Sequence, residues 1–216
     1  MALIDVELFV NDVRQDLPEC DFDTIADRVV QVINAFAEQT LIWRHTLPAM
    51  NAVQGQSTYT LTSDISNTRI IMPLYASFSG TEMSPNSINQ LDRYDIGWRT
   101  ASQGVASRYY MVDDNTLGLN RAPDQLYAGA ITVDVALTPI TGSTQIDDRF
   151  YNRQIIREGI SHGTRHMLMQ VQKKPWSNAR MAVFHGRHFN HHLNAAASLA
   201  ARSGTRAGLR FALRTF

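Results

Sequence analysis

Apolar residues recur at helical spacing at the start of the chain. Val6, Phe9, Val13 and Leu17 fall on one side of a helix that Asp5 would cap and Pro18 would end. A second helix is expected to open at Asp21 to Asp23 and run to about Leu41, with Phe22, Ile25, Val29, Ile33 and Phe36 on its apolar stripe. Its acids sit in the first turn, where the helix dipole favours them. Near Trp43 the period drops to two. Short segments at 57–61, 69–78, 108–112, 116–120 and 131–137, separated by Gly, Pro, Asn and Asp, read as strands between His45 and Ile140. In the last of them Ile131, Val133, Val135 and Leu137 share one face, while Thr132, Asp134 and Thr138 share the other. Asp113-Asp114-Asn115 supplies turn chemistry for a hairpin.

Helical signals return at Asp147, a plausible cap. Ile156, Ile160, Gly163, Met167 and Val171 make one stripe, and Pro175 ends it. Ser177 is placed to cap a last long helix with Val183, Phe189, Leu193, Ala197 and Ala200 facing inward. Gly159 and Gly163 each cost roughly 1 kcal/mol relative to Ala inside a helix, and a close helix crossing is the natural compensation. The pattern therefore predicts an α+β fold. A bundle of about four helices, from 1–44 and 141–201, carries an inserted small antiparallel β-sheet or sandwich at 45–140, and an extended arm follows at 202–216.

That arm has its own logic. Arg202, Arg206, Arg210 and Arg214 recur at every fourth position, and Leu209, Phe211, Leu213 and Phe216 supply apolar anchors. Gly204 and Gly208 argue against a stable isolated helix. Two readings stand: an arm that orders when it docks, or a frayed tail.

Composition narrows the class. The chain has 216 residues, 44% hydrophobic and 19% charged, which suits one or two globular domains. A single Cys excludes an intramolecular disulfide. The acidic opening stretch does not resemble a secretory signal, and no apolar run is long enough for a bilayer, so a cytosolic setting is expected and no membrane.

The formal net charge of +0 hides an asymmetry. Asp5, Glu7, Asp12, Asp16, Glu19, Asp21, Asp23 and Asp27 face only Arg14 in the first 27 residues. From Arg149 onward the bases dominate, with Glu158 the one acid. The two ends could pair within a monomer, or give head-to-tail complementarity between copies in an assembly. For the second case the charges of interest are Asp16, Asp23 and Asp27 against Arg153, Arg157 and Arg165. All bases but Lys173 and Lys174 are Arg, a residue suited to interfaces, although composition bias explains this equally well.

Chemistry finds little purchase. His162 and His166 lie four apart, and His185, His188 and His192, with His191 beside them, lie on one further helix, a spacing zinc can use. The residue after His162 is Gly163, where a zinc protease would carry its general base. Helix-face or interface histidines are the simpler reading, and a metal-dependent helical enzyme is the alternative. Cys20 sits among carboxylates, which would raise a thiol pKa. No nucleophile elbow, phosphate loop or dinucleotide fingerprint occurs. The sequence thus predicts no catalytic, cofactor or metal site. The neutral chain also lacks the spacing of a sequence-specific DNA reader.

The order of elements resembles the head-to-tail adaptor proteins of tailed bacteriophages, also called gateway or tail tubular protein A-like proteins. The resemblance rests on the helix running from Phe22 to Trp43 into a strand, on Gly55-Gln-Ser-Thr-Tyr59-Thr-Leu61, and on Ser107-Arg108-Tyr109-Tyr110-Met111. Leu117-Gly-Leu-Asn-Arg-Ala-Pro123 and the helix opening Asp148-Arg149-Phe150-Tyr151 complete it. It implies a non-enzymatic virion part in the neck, assembled in the host cytoplasm as a ring of twelve beneath the portal protein. Such a ring extends the channel for genomic DNA, without sequence-specific binding, and offers the tail or nozzle protein its attachment surface. A neighbouring neck or tail-completion protein is the close alternative. The family's C-terminal segment docks on the portal, which by position maps onto Arg202, Arg206, Leu209, Arg210, Phe211, Leu213, Arg214 and Phe216.

Overall fold

The structure, a computed structural model, describes residues 2–203. In chain order the elements are β1 (Leu3–Asp5), α1 (Glu7–Arg14), α2 (Phe22–Thr40), β2 (Arg44–Thr46), β3 (Met50–Ala52), β4 (Thr58–Thr60) and β5 (Thr68–Phe78). Then come β6 (Thr81–Glu82), β7 (Ser84–Pro85), α3 (Ile88–Tyr94), a 3-10 turn (Trp98–Thr100), β8 (Arg108–Asp113), β9 (Thr116–Leu119) and β10 (Tyr127–Pro139). The chain continues through β11 (Gln145–Asp147), α4 (Arg149–Asn152), α5 (Gln154–Met169) and α6 (Ala179–Ser203). The fold is α+β. It divides into two compact units, one formed by the chain up to Ile42 and from Thr141 onward, the other by Trp43–Ile140.

The first unit is a helical bundle. Asp21 caps α2, its side chain accepting from the Thr24 amide at 2.9 Å, and Ile25, Val29, Ile33 and Phe36 are fully buried. Phe22, expected on the same stripe, is 39% exposed because it stands in the first turn, ahead of the buried run. Asp5 does not cap α1. It lies in β1, which pairs antiparallel with β11 in the register Leu3↔Asp147, Ile4↔Ile146 and Asp5↔Gln145. Asp147 is fully buried at the end of β11, and its Oδ1 accepts from the Arg149 amide and from Arg149 Nε, each at 2.9 Å, so its side chain caps the first amide of the short α4, while the long α5 begins only at Gln154. Burial pushes the Asp147 carboxyl up from its ordinary value.

The glycines of α5 sit at close crossings. A Cβ on Gly159 would come within 2.9 Å of His192 Cβ, and one on Gly163 within 2.6 Å of Val32 Cγ1 and 2.7 Å of Phe189 Cδ2. Gly186 of α6 is pressed in the same way on the His166 ring, at 2.8 Å. The buried positions of α5 include Ile156, Ile160, Thr164 and Leu168, whereas Met167 is 38% exposed and Val171 lies beyond the helix. In α6 the inward face is Ala182, His185, Leu193, Ala196 and Ala200, with Phe189 half-buried. Val183, expected inward, is 54% exposed, one position out of phase with that face. Asn178 rather than Ser177 opens α6, its Oδ1 accepting from the Met181 amide at 3.1 Å.

The second unit holds two sheets. One follows the order β2-β10-β5-β6, with β3 also on β10, and the other follows β4-β9-β8-β7. Every pairing is antiparallel except β7 with β8, which is parallel and departs from the all-antiparallel expectation. Asp113 turns the β8–β9 hairpin by accepting from the Asn115 amide at 2.9 Å. In β10 the alternation of Ile131, Val133 and Val135 holds, but register shifts beside Val135 and Leu137 end it, and Ala136 and Thr138 are fully buried. Thr138 therefore does not face solvent with Thr132 and Asp134. A helix unexpected in this segment, α3, carries a capping box in which Ser87 and Gln90 satisfy each other's amides. Its Leu91 packs with Trp98 and Tyr110, and the Tyr110 ring covers Gly118, where a Cβ would fall 2.3 Å from it.

Candidate functional site

Of the charged residues singled out in the sequence, Asp16, Arg157 and Arg165 come together in the helical unit. Arg157 of α5 grips Asp12 of α1 with two hydrogen bonds, Nε to Oδ2 and Nη2 to Oδ1, both 2.6 Å. Its guanidinium also lies 4.0 Å from the centre of the Tyr151 ring, which meets Phe9 edge-on at 5.2 Å. About two turns further along α5, Arg165 donates from Nη2 to the Asp12 carbonyl at 2.7 Å and places Nε 2.8 Å from Asp16 Oδ2. That carbonyl is among the last of α1, which the helix itself leaves without a partner. Asp16, Arg157 and Arg165 thus meet acid and base inside one chain. Asp23, Asp27 and Arg153 are exposed, the first two on α2 and the last where α5 begins.

Beside this seam lies a cleft of about 490 Å³, lined in part by Asp12, Tyr151, Arg157, Glu158, His162 and Arg165. His162, which lines the cleft, joins a histidine cluster assembled from two helices. His162 Nδ1 of α5 is 2.8 Å from His185 Nδ1 of α6, so one of the two nitrogens donates and the other accepts. The His162 ring stacks on His188 at 5.0 Å and on His192 at 5.8 Å, with interplanar angles of 21° and 13°. One ring nitrogen from each of His162, His188 and His192 lies within 4.8 Å of the others. Burial, followed by the neighbouring His185 and His188, pushes His162 down to about 4. Burial also lowers His185 and His192. These imidazoles are therefore neutral at physiological pH, as a packed cluster requires.

The remaining histidines stand apart. His166 Nδ1 is 2.8 Å from the Ala182 carbonyl, and His191 is exposed, touching the cluster through His192 at 5.6 Å. The spacing of His185, His188 and His192 announced a histidine face on α6. His162 and His166 are equal candidates from α5 by spacing; the crossing of the two helices brings His162, and not His166, to His188 and His192.

Of the arm residues, Arg202 is exposed in the last turn of α6. Arg206, Leu209, Arg210, Phe211, Leu213, Arg214 and Phe216 lie outside the described residues. No helix among the described residues is long and apolar enough to cross a membrane.

No curated protein matches the chain. Residues 4–210, which take in both units, match the SU10 adaptor protein family. The chain belongs to that family, one of structural head-to-tail adaptors of phages.

Proposed function

We propose that this adaptor forms a ring of twelve copies beneath the portal protein in the virion neck, extends the channel through which genomic DNA passes, and presents the attachment surface for the tail or nozzle protein. The observation that carries the proposal is the family match over residues 4–210. The division of labour follows from the two units. The helical unit, with its acid–base seam, packs in the ring, and the residues beyond Ala201 dock on the portal.

Arg side chains alternating with Leu and Phe suit a preformed acidic groove with apolar pockets, because the interactions gained there offset the cost of ordering a Gly-containing segment. Within the ring, Asp23 and Asp27 of one copy are proposed to face Arg153 of the next. Asp16, Arg157 and Arg165 contribute by holding α1 on α5, and so by shaping the surface that a neighbour meets.

Electron microscopy of particles carrying either the full chain or a chain ending at Ala201 tests this reading. A single ring between portal and tail, lost or detached with the shortened chain, is expected. Particles in which the chain is absent from the neck would overturn it. Charge reversal at Asp23 and Asp27 together is expected to prevent ring closure, and restoration by reversal of Arg153 is the matching result.

A further inference from the structure

We propose that His162, His188 and His192 form a binding site for one divalent transition-metal ion of the zinc type, joining α5 to α6. This goes beyond the adaptor reading and does not rest on it.

Three independent features of the structure support the site. The first is the ligand set: His188 and His192 are four apart on α6 and share a face, and His162 enters from the facing helix, so an ion there would be held by two helices rather than one. The second is distance. Tetrahedral zinc with ordinary zinc–imidazole bonds holds its ligand nitrogens roughly 3.3 Å apart, and these three start within 4.8 Å. Rotation of the His188 and His192 rings toward His162 is what an ion would require to close that gap.

The third feature is the surrounding shell. The His162 Nδ1 contact with His185, which is 6% exposed, fixes the ring of His162 in the way that outer hydrogen bonds fix metal-bound imidazoles. Glu158 Oε2 lies 3.7 Å from His192 Nε2 and adds negative charge beside the cation. All three rings are partly exposed, and His162 lines the cleft, so an ion and a completing water have access. Imidazole donors with no thiolate suit Zn²⁺, Co²⁺, Ni²⁺ or Cu²⁺ and disfavour Ca²⁺ and Mg²⁺. Because its ligands come from α5 and α6, the ion's role is to clamp two helices.

The test uses the purified full chain at neutral pH, loaded with zinc chloride, desalted and assayed for retained metal. About one zinc per chain is expected, with a rise of roughly 5 °C or more in the unfolding temperature at a hundredfold excess over Kd. His162→Gln and His188→Gln are each expected to cut retention at least about tenfold, whereas His191→Gln, at an exposed neighbour, retains the metal. Retention well below one zinc per chain, or retention indifferent to the first two substitutions or abolished by the third, overturns the site. Cobalt(II) added to the unsubstituted chain keeps the test decisive even where a variant fails to fold. The intense visible bands of a four-coordinate nitrogen site support the assignment, and the weak spectrum of an aquo ion overturns it.

Discussion

Asp12 and Arg157 meet in two parallel hydrogen bonds of 2.6 Å across 145 positions of chain. The pair fixes the short α1, only eight residues long, against the first half of α5. A helix that short has little stability of its own, so its position depends on such contacts and on Phe9, Val10 and Val13 beneath it.

Arg157→Ala is expected to lower stability by about 1–2 kcal/mol, since the pair is bidentate but only partly shielded from solvent. Arg157→Lys should lose most of the same amount, because an ammonium cannot reproduce the fork or lie flat on Tyr151. Denaturant titration of the two variants checks this. Equal stability of the Lys variant and the parent would show that charge alone suffices.

Gly163 lies where α5 presses on Val32 and Phe189. Ala would be the better helix former by roughly 1 kcal/mol, yet its Cβ would lie 2.6 Å from Val32 Cγ1. Overpacking of this kind costs about 1–3 kcal/mol and outweighs the propensity gain. Gly163→Ala should therefore destabilise the protein in thermal or denaturant unfolding, and Val32→Ala in the same chain should return part of the loss, a coupling that a double-mutant cycle measures.

Acid should loosen the histidine cluster. His162 is held near 4 against an ordinary value of 6.5, and His185 and His192 shift the same way. Between those two values the unfolded chain binds more protons than the folded one, so stability falls as pH drops from about 6.5 toward 4 and the His162 contribution levels off below it. Asp147, whose carboxyl is pushed up by burial, acts with the opposite sign. Comparing unfolding of the parent and His162→Gln from neutral pH down to about 4 separates the two, and the variant should show the shallower decline.

Where the sequence and the fold agree, the signal is local. Asp21 caps α2 and Asp113 turns the β8–β9 hairpin through bonds to amides two or three residues on, which a reader of the sequence can anticipate. Gly159 and Gly163 marked a close crossing for a similar reason, since a helix tolerates such residues only where the neighbour needs the room. Asp5 misled because a short strand pair joining positions so far apart has no local periodicity. On α6, Val183 misled because small and polar residues, Ala182 and His185, hold the buried phase, so hydrophobicity pointed to the wrong stripe. The histidine cluster was half legible: one helix supplied a pattern, and the other supplied a single ring through tertiary packing.

The inserted unit begins and ends on neighbouring strands. Ala136 of β10 stands opposite Arg44 of β2, and the Leu137 amide donates to the Trp43 carbonyl at 2.8 Å. The inserted unit therefore holds its own entering and leaving strands side by side in one sheet, so its closure is built into the unit itself. A unit closed on itself in this way can keep its register under changes elsewhere in the chain, because the strands that bracket it hold each other.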